Sequence, residues 1–257
     1  MFINVKFAPS MVGSDHDLKQ SSVVVIDTLR ATSTIIAALM AGAREVIAAA
    51  TIEEAVAISH RLGTERTLLG GERGGVRIKG FHLGNSPGEY TPEVVHGKTI
   101  ILTTSNGSGA LLKARQAAQT LCGALLNASA VARHLAAGGA RDVLLLCSGS
   151  GGNVSLEDSL AAGAILAELL AVQDSGSVTI SDGARIALWL FNECRNDLPA
   201  ALRASEHGRA LMELGFTDDL DYCARLDIPD APVPAFAGSS IKVQQSGPAG
   251  PTVARFV

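Results

Sequence analysis

Aromatic residues are scarce: one Trp, two Tyr and seven Phe make up 4% of a 257-residue chain that is 47% hydrophobic. Its interior must therefore be filled mostly by aliphatic side chains and alanine. Charge is sparse too, at 18%, with 21 Lys and Arg against 25 Asp and Glu, a formal net charge of -4. Without a cationic surplus the chain is not a broadly basic nucleic-acid binder, although a few arginines in one pocket can still hold an anion. The four cysteines (Cys122, Cys147, Cys194 and Cys223) show no C-x-x-C spacing, and two sit inside apolar runs like small core residues, which points to a reducing compartment. The six histidines show neither H-x-H nor H-E-x-x-H spacing, against a zinc enzyme, and no G-x-S-x-G elbow marks a serine hydrolase. No apolar run approaches the roughly 20 residues of a membrane span. The start, MFINVKFAPS, lacks the features of a signal peptide. The expectation is a soluble cytoplasmic protein that binds neither membrane nor nucleic acid, large enough to fold without disulfides or a structural metal.

Short β-branched runs alternate with alanine-rich segments. VVVID (23–27), EVIAAA (45–50), RTLLG (66–70), KTIILTT (98–104) and DVLLLCSG (142–149) read as strands. They are continuous apolar runs, so both faces of the sheet should be covered. ATSTIIAALMA reads as a helix stopped at Gly42, and Thr51 with Glu54 three residues on has capping-box spacing. Further helices are expected over 108–119, 128–137, 156–172, 182–195 and 199–214. The alternation predicts a layered α/β/α fold with a largely parallel or mixed sheet. The strand-to-helix junctions after Ile26, Leu102 and Leu146 resemble one another, which points to two related halves, 1–120 and 121–245. The Gly- and Pro-rich segment 246–257 is expected to be a flexible tail. The composition permits a homodimer without demanding one.

Sheets of this type place ligands at the carboxyl ends of strands, so the junctions carry the functional argument. In the first, Asp27 ends a strand, Arg30 follows, and Thr32, Ser33 and Thr34 open a helix. N–H groups at a helix start, hydroxyls and a guanidinium suit a phosphate or sulfonate, and a carboxylate beside them suits a hard cation. Helix capping by Asp27 and Thr32 is the plainer account, but it does not need Arg30. In LGGERGG, Glu72 and Arg73 stand among glycines that let backbone approach a ligand, a pattern that fits a flexible loop equally well. TTSNGSG (103–109) follows a strand and leads into a helix rather than a second strand. Ser105, Asn106 and Gly107 thus read as an oxyanion loop, not a hairpin turn. After the strand ending at Cys147 comes SGSGGN, with valine where a G-x-G-x-x-G fingerprint needs its third glycine, so a dinucleotide site is rejected. Ser155 and Asp158 form a capping box. Glu157 remains over, and adjacent carboxylates in a first helical turn can serve as Mg²⁺ ligands. Ala161, Ala162 and Gly163 leave this helix free to pack closely on a neighbour.

Taken together, VVIDTLRATST (24–34), LLGGERGG (68–75), GFHLGNSP (80–87), TTSNGSGAL (103–111), LNASAVA (126–132) and SLEDSLAAG (155–163) resemble the 2-phosphosulfolactate phosphatase family. The resemblance spans roughly residues 20 to 170 and is weaker from 199 to 236. It implies a distinct α/β fold in two halves and a Mg²⁺-dependent enzyme that releases phosphate from 2-phospho-3-sulfolactate on the route to coenzyme M. Two departures stand out. Ser105, Ser108 and Gly109 replace the family's closer approach to T-T-T-N-G-T-R-A, removing an arginine, and His82 stands where an Asp is usual. Loss of a guanidinium alters recognition of planar anions, so the natural substrate can differ while the chemistry survives.

The expected reaction is Mg²⁺-assisted hydrolysis of the phosphate monoester of a small acidic molecule. Asp27, Glu157 and Asp158 would hold the ion, with Glu72 as a further candidate. Arg30 and Arg73 would take up remaining negative charge, while Ser33, Ser105, Asn106 and Gly107 would donate to the oxyanion. Direct attack by water and prior phosphorylation of a carboxylate both remain open. A haloacid-dehalogenase-type mechanism is set aside, because its D-x-D would require an Asp at Leu29. The alternative from another class is a non-catalytic anion-binding or regulatory protein, which clustered carboxylates would disfavour by repulsion.

Overall fold

The computed structural model describes residues 1–13, 18–173, 176–237 and 240–244; the expected tail 246–257 lies outside the described residues. In chain order come β1 (Phe2–Lys6), β2 (Ser22–Ile26), α1 (Ala31–Met40), β3 (Glu45–Ala48), α2 (Ile52–Leu62), β4 (Thr67–Arg73), β5 (Val76–Arg77), α3 (Pro92–Val95), β6 (Thr99–Thr103) and α4 (Gly107–Ala114). They are followed by β7 (Gln119–Gly123), α5 (Ala128–Ala137), β8 (Asp142–Cys147), α6 (Leu156–Val172), β9 (Thr179–Ile180), α7 (Asp182–Cys194), α8 (Leu198–Ala204), α9 (Glu206–Glu213), α10 (Thr217–Cys223), β10 (Pro234–Ala237) and β11 (Ser240–Val243).

The strands form one mixed sheet in the order β5-β4-β6-β3-β11-β10-β7-β2-β8-β1-β9. β2 lies parallel to both β7 and β8, and β6 parallel to both β3 and β4. The antiparallel pair β10–β11 joins the two groups. Strands from residues 1–120 and from 121–245 interleave, since β1 and β2 flank β8.

Helices cover both faces, as the unbroken apolar strands require. Val24 and Ile26 of β2 pack with Val131 of α5, Leu160 of α6 and Ala187 of α7, while Val23 and Val25 pack with Ile35 of α1 and Leu111 of α4. Each such aliphatic side chain, fully buried, stabilises the fold by about 1.5–3 kcal/mol. The small residues of α6 serve close packing: a Cβ at Gly163 would stand 2.1 Å from the Ala187 carbonyl of α7.

Several boundaries depart from the sequence reading. The helix expected over 108–119 stops at Ala114, because Gln119–Gly123 pairs edge to edge with β2 as strand β7. The helix expected over 199–214 is two helices, since the Ser205 hydroxyl accepts from the Gly208 N–H at 2.9 Å and starts α9 afresh. β1, β10, β11 and α10 had no counterpart in that reading. The Thr51 cap forms as expected, with the Glu54 N–H donating to the hydroxyl at 3.1 Å and the Glu54 carboxylate accepting from the Ala50 N–H at 2.7 Å.

Candidate active site

A cleft of about 330 Å³ opens where the loops after β2, β4, β6 and β8 face α9. Asp27 and Arg30 line it from the β2–α1 turn, Glu72 and Gly75 from β4 and its turn, and Ser105 and Asn106 from the loop before α4. Asn85 borders it, as do Ser150 and Gly151 after β8. His207, Leu211 and Leu214 close the opposite wall. β6 and β2 are separated in the sheet by four strands. Their loops meet because α4 crosses back over β2.

Asp27 is locked in place by its own helix. Its Oδ1 accepts from the Ala31 N–H at 3.1 Å, and its N–H donates to the Thr32 hydroxyl at 3.0 Å. Its Oδ2 lies against Gly107, where a Cβ would approach it to 2.6 Å. Only glycine lets the α4 backbone come this close to the carboxylate. Asp158, at the start of α6, ties two strand ends together. Its Oδ1 accepts from the Thr28 N–H at 2.8 Å and its Oδ2 from the Gly149 N–H at 3.1 Å. Only the Ser155 half of the expected capping box forms, the Asp158 N–H donating to the Ser155 hydroxyl at 3.2 Å, while the Asp158 side chain works across the sheet.

Asp27, Glu157 and Asp158 are all buried. Burial pushes the Asp27 carboxyl up to about 7, the Ala31 N–H opposing; Glu72 and Glu157 push it further, and Arg30 pulls it down. Asp158 is raised well above the ordinary carboxylate range by burial first, and then by the charges of Asp27 and Glu157. Removing carboxylates from water and setting them near one another disfavours the ionised state twice over. Among the described residues, no three His, Cys, Asp or Glu side chains are gathered closely enough to enclose a metal ion. The set fits Mg²⁺ in a different sense: it offers hard oxygen donors whose mutual repulsion a cation relieves, and Mg²⁺ is commonly held by one or two carboxylates together with substrate phosphate and water.

Glu72 is engaged elsewhere. Its Oε1 accepts from the Ser105 N–H at 2.7 Å, and its Oε2 from the Gly75 N–H at 2.8 Å and the Ser105 hydroxyl at 3.2 Å. It braces the two loops that form one wall. The start of α4 is fixed by a reciprocal pair, Ser108 N–H to Thr104 Oγ1 at 3.1 Å and Thr104 N–H to Ser108 Oγ at 2.9 Å. Asn106 Oδ1 accepts from the Gly151 N–H at 3.3 Å.

Arg30 is 2% exposed, and its guanidinium is clamped on three sides. Nη1 donates to Asp219 Oδ2 at 2.6 Å, Nη2 donates to the Gly75 carbonyl at 2.6 Å, and the Phe216 ring lies 4.3 Å from the guanidinium carbon. Ser86 donates to the other oxygen of Asp219 at 2.5 Å.

Of the residues singled out in the sequence, Asp27, Arg30, Glu72, Ser105 and Asn106 line one cleft, with Gly107 backing Asp27. Glu157 and Asp158 are buried at the start of α6, which Asp158 ties to the residue after Asp27. Neither of these lines the cleft, and two further residues also stand apart from it. Ser33 donates its hydroxyl inward to the Thr28 carbonyl at 2.8 Å. Arg73 is exposed, donating to the Glu72 carbonyl at 2.7 Å and Thr103 Oγ1 at 3.0 Å. His82 has a structural task, its Nδ1 accepting from the Leu69 N–H at 3.0 Å. Sequence reasoning missed Asp219, His207 and Asn85. The first two lie outside every quoted segment. Asn85 lies within GFHLGNSP, where the Asn-Ser-Pro turn was visible but its amide had no assigned use.

A model of the family described as 2-phosphosulpholactate phosphatase matches residues 7–237. The chain belongs to this family. It is thereby a phosphatase, a phosphoric monoester hydrolase. Among its relatives, a probable 2-phosphosulfolactate phosphatase of Caldanaerobacter subterraneus subsp. tengcongensis is 42% identical over 232 residues, 90% of this chain and 94% of its own length. One from Deinococcus radiodurans is 42% identical over 223 residues, 83% and 90% of the two chains. Another, from Synechococcus sp., is 43% identical over 213 residues, 82% and 88%. The match extends beyond residue 170 to α8, α9 and α10, the helices that supply Asp219 and the His207 wall. No helix among the described residues is long and apolar enough to cross a membrane.

Proposed function

We propose that the protein hydrolyses the phosphate monoester of a small acidic hydroxy acid in a Mg²⁺-dependent reaction, with 2-phospho-3-sulfolactate as substrate and sulfolactate and phosphate as products. The observation that carries this reading is Asp27 in the cleft beside the clamped Arg30, with Glu157 and Asp158 buried behind it at the start of α6. A purely anion-binding protein gains nothing from carboxylates at its binding site. A phosphatase that uses a cation needs them.

Asp27, with Glu157 and Asp158 behind it, would hold Mg²⁺; Glu72, engaged by Ser105 and Gly75, braces the wall instead. When bound, the ion neutralises phosphoryl charge and acidifies water. Arg30 contributes a fixed positive charge whose orientation needs no reorganisation when substrate arrives. The Ser105–Asn106 loop lines the wall opposite α9, and with the Ser105 N–H and hydroxyl spent on Glu72 it is the Asn106 amide that would donate to the oxyanion. Leu211 and Leu214 exclude water from one side, which strengthens each of these interactions.

The test is phosphate release from 2-phospho-3-sulfolactate after treatment with chelator, with and without added Mg²⁺. The expected result is turnover that disappears with chelator and returns with Mg²⁺. If neither this compound nor a simple aryl phosphate is hydrolysed under any metal condition, the anion-binding alternative replaces the proposal.

A further inference from the structure

Asn85 lines the cleft although it is only 5% exposed, and its Oδ1 is enclosed without a hydrogen-bond partner. An enclosed Oδ1 fixes the orientation of the amide: the oxygen is turned into the protein, where an oxyanion in the cleft cannot be its partner. The residue is held firmly. Its carbonyl accepts from the Thr34 hydroxyl at 2.8 Å, one turn along α1 from Arg30. Its neighbour Ser86 donates to Asp219, the residue that also grips the Arg30 guanidinium. Asn85 therefore stands beside Arg30 on the same rigid frame. Because Oδ1 is enclosed, the edge of the carboxamide that remains for the cleft is its N–H₂ donor.

We propose that Asn85 contacts the substrate directly, its amide N–H₂ donating to a phosphoryl oxygen alongside Arg30. This deepens the phosphatase reading of the same cleft and rests on it. The ligand class is a tetrahedral phosphate oxyanion. The arrangement pairs a neutral donor with a cation, so that one phosphoryl oxygen can be held without adding charge next to Asp27. Removing the side chain leaves no protein partner of Oδ1 orphaned, so its loss should weaken binding without loosening the fold.

Two variants test this, with binding read separately from turnover. Inorganic phosphate and methanesulfonate, each in the presence of Mg²⁺, are titrated against the wild-type protein, Asn85→Ala and Asn85→Asp by thermal shift and calorimetry. Kinetics follow on 2-phospho-3-sulfolactate and on an aryl phosphate. In Asn85→Ala, phosphate affinity and kcat/KM on both esters should fall about 10- to 100-fold, the scale of one hydrogen bond to a charged group. The melting temperature without ligand should stay within about 2 °C of wild type. Asn85→Asp keeps the shape but turns the donor into a charge, and should bind phosphate more weakly than Asn85→Ala. Unchanged phosphate affinity in either variant overturns the proposal. So does a loss confined to methanesulfonate, which would assign Asn85 to the substrate's sulfonate. A fall in melting temperature matching the loss of function overturns it too, by marking a structural role. If wild type binds phosphate through Asn85 but hydrolyses no ester, the phosphatase reading fails and the binding contact stands.

Discussion

Asp219 Oδ2 accepts a hydrogen bond from Arg30 Nη1 at 2.6 Å, across 189 residues of chain and with both side chains buried. The pair anchors α10 to the first turn of the site. Breaking a buried ion pair from one side leaves an uncompensated charge, at a cost of about 3–5 kcal/mol. Asp219→Ala is expected to lower stability on that scale in denaturant titration and to lower kcat/KM at least about tenfold. Asp219→Asn, which keeps an acceptor oxygen, should restore part of both.

Asp27 links function to pH-dependent stability. Its carboxyl is raised from the ordinary 3.8 to about 7 in the fold, chiefly by burial. The native state therefore holds a proton that the unfolded chain has already released. Between about pH 4 and pH 7 stability falls as pH rises; below that window the two states bind protons alike, and above it the loss is complete. Asp27→Asn removes this loss. Calorimetry of the metal-free protein should show the variant melting several degrees above wild type at pH 8 and close to it at pH 4. The same variant should have lost phosphate release.

Gly107 bears on the same carboxylate. A Cβ there would lie 2.6 Å from both Asp27 Oδ2 and the Ala31 Cβ. Gly107→Ala should cost about 1–3 kcal/mol of stability by overpacking. Turnover should fall further than that loss of folded protein explains. The comparison is specific activity per folded molecule.

Glu72 separates bracing from metal binding. Its oxygens accept from Ser105 and Gly75, so Glu72→Gln loses acceptor capacity while keeping its shape. The expected outcome is destabilisation of about 1–2 kcal/mol, with the Mg²⁺ concentration for half-maximal rate shifted by less than about threefold. A shift of tenfold or more would return Glu72 to the ion's ligands.

Much of the site was legible because its residues lie at strand ends. Apolar runs ending at Ile26, Thr103 and Cys147 announced where the loops begin, and the hydroxyl, Gly and acidic residues after them include Asp27, Ser105, Asn106, Ser150 and Gly151 of the cleft lining. Ser33 and Arg73 lie outside the cleft lining. Both sit beside cleft residues in sequence, but Ser33 turns into its own helix start and Arg73 is exposed, reaching across to Thr103 of β6. Which of two neighbouring side chains faces a ligand depends on helix phase and strand register, to which type and spacing are blind. Strand β7 was missed because QTLCG is short and weakly apolar, and its identity comes from pairing with β2.

The order of residues alone determined the alternation of strands and helices, the burial of both sheet faces and the gathering of polar residues at strand-to-helix junctions. These are local properties, set by periodicity, capping and the hydrophobic pattern. The tertiary structure decided the rest. It brought the loop after β6 against β2 across four intervening strands, set Asp158 on Thr28, and delivered Asp219 and His207 from the last helices. Such contacts follow from how layers pack and from which long-range hydrogen bonds satisfy buried groups, and no window of sequence contains both partners.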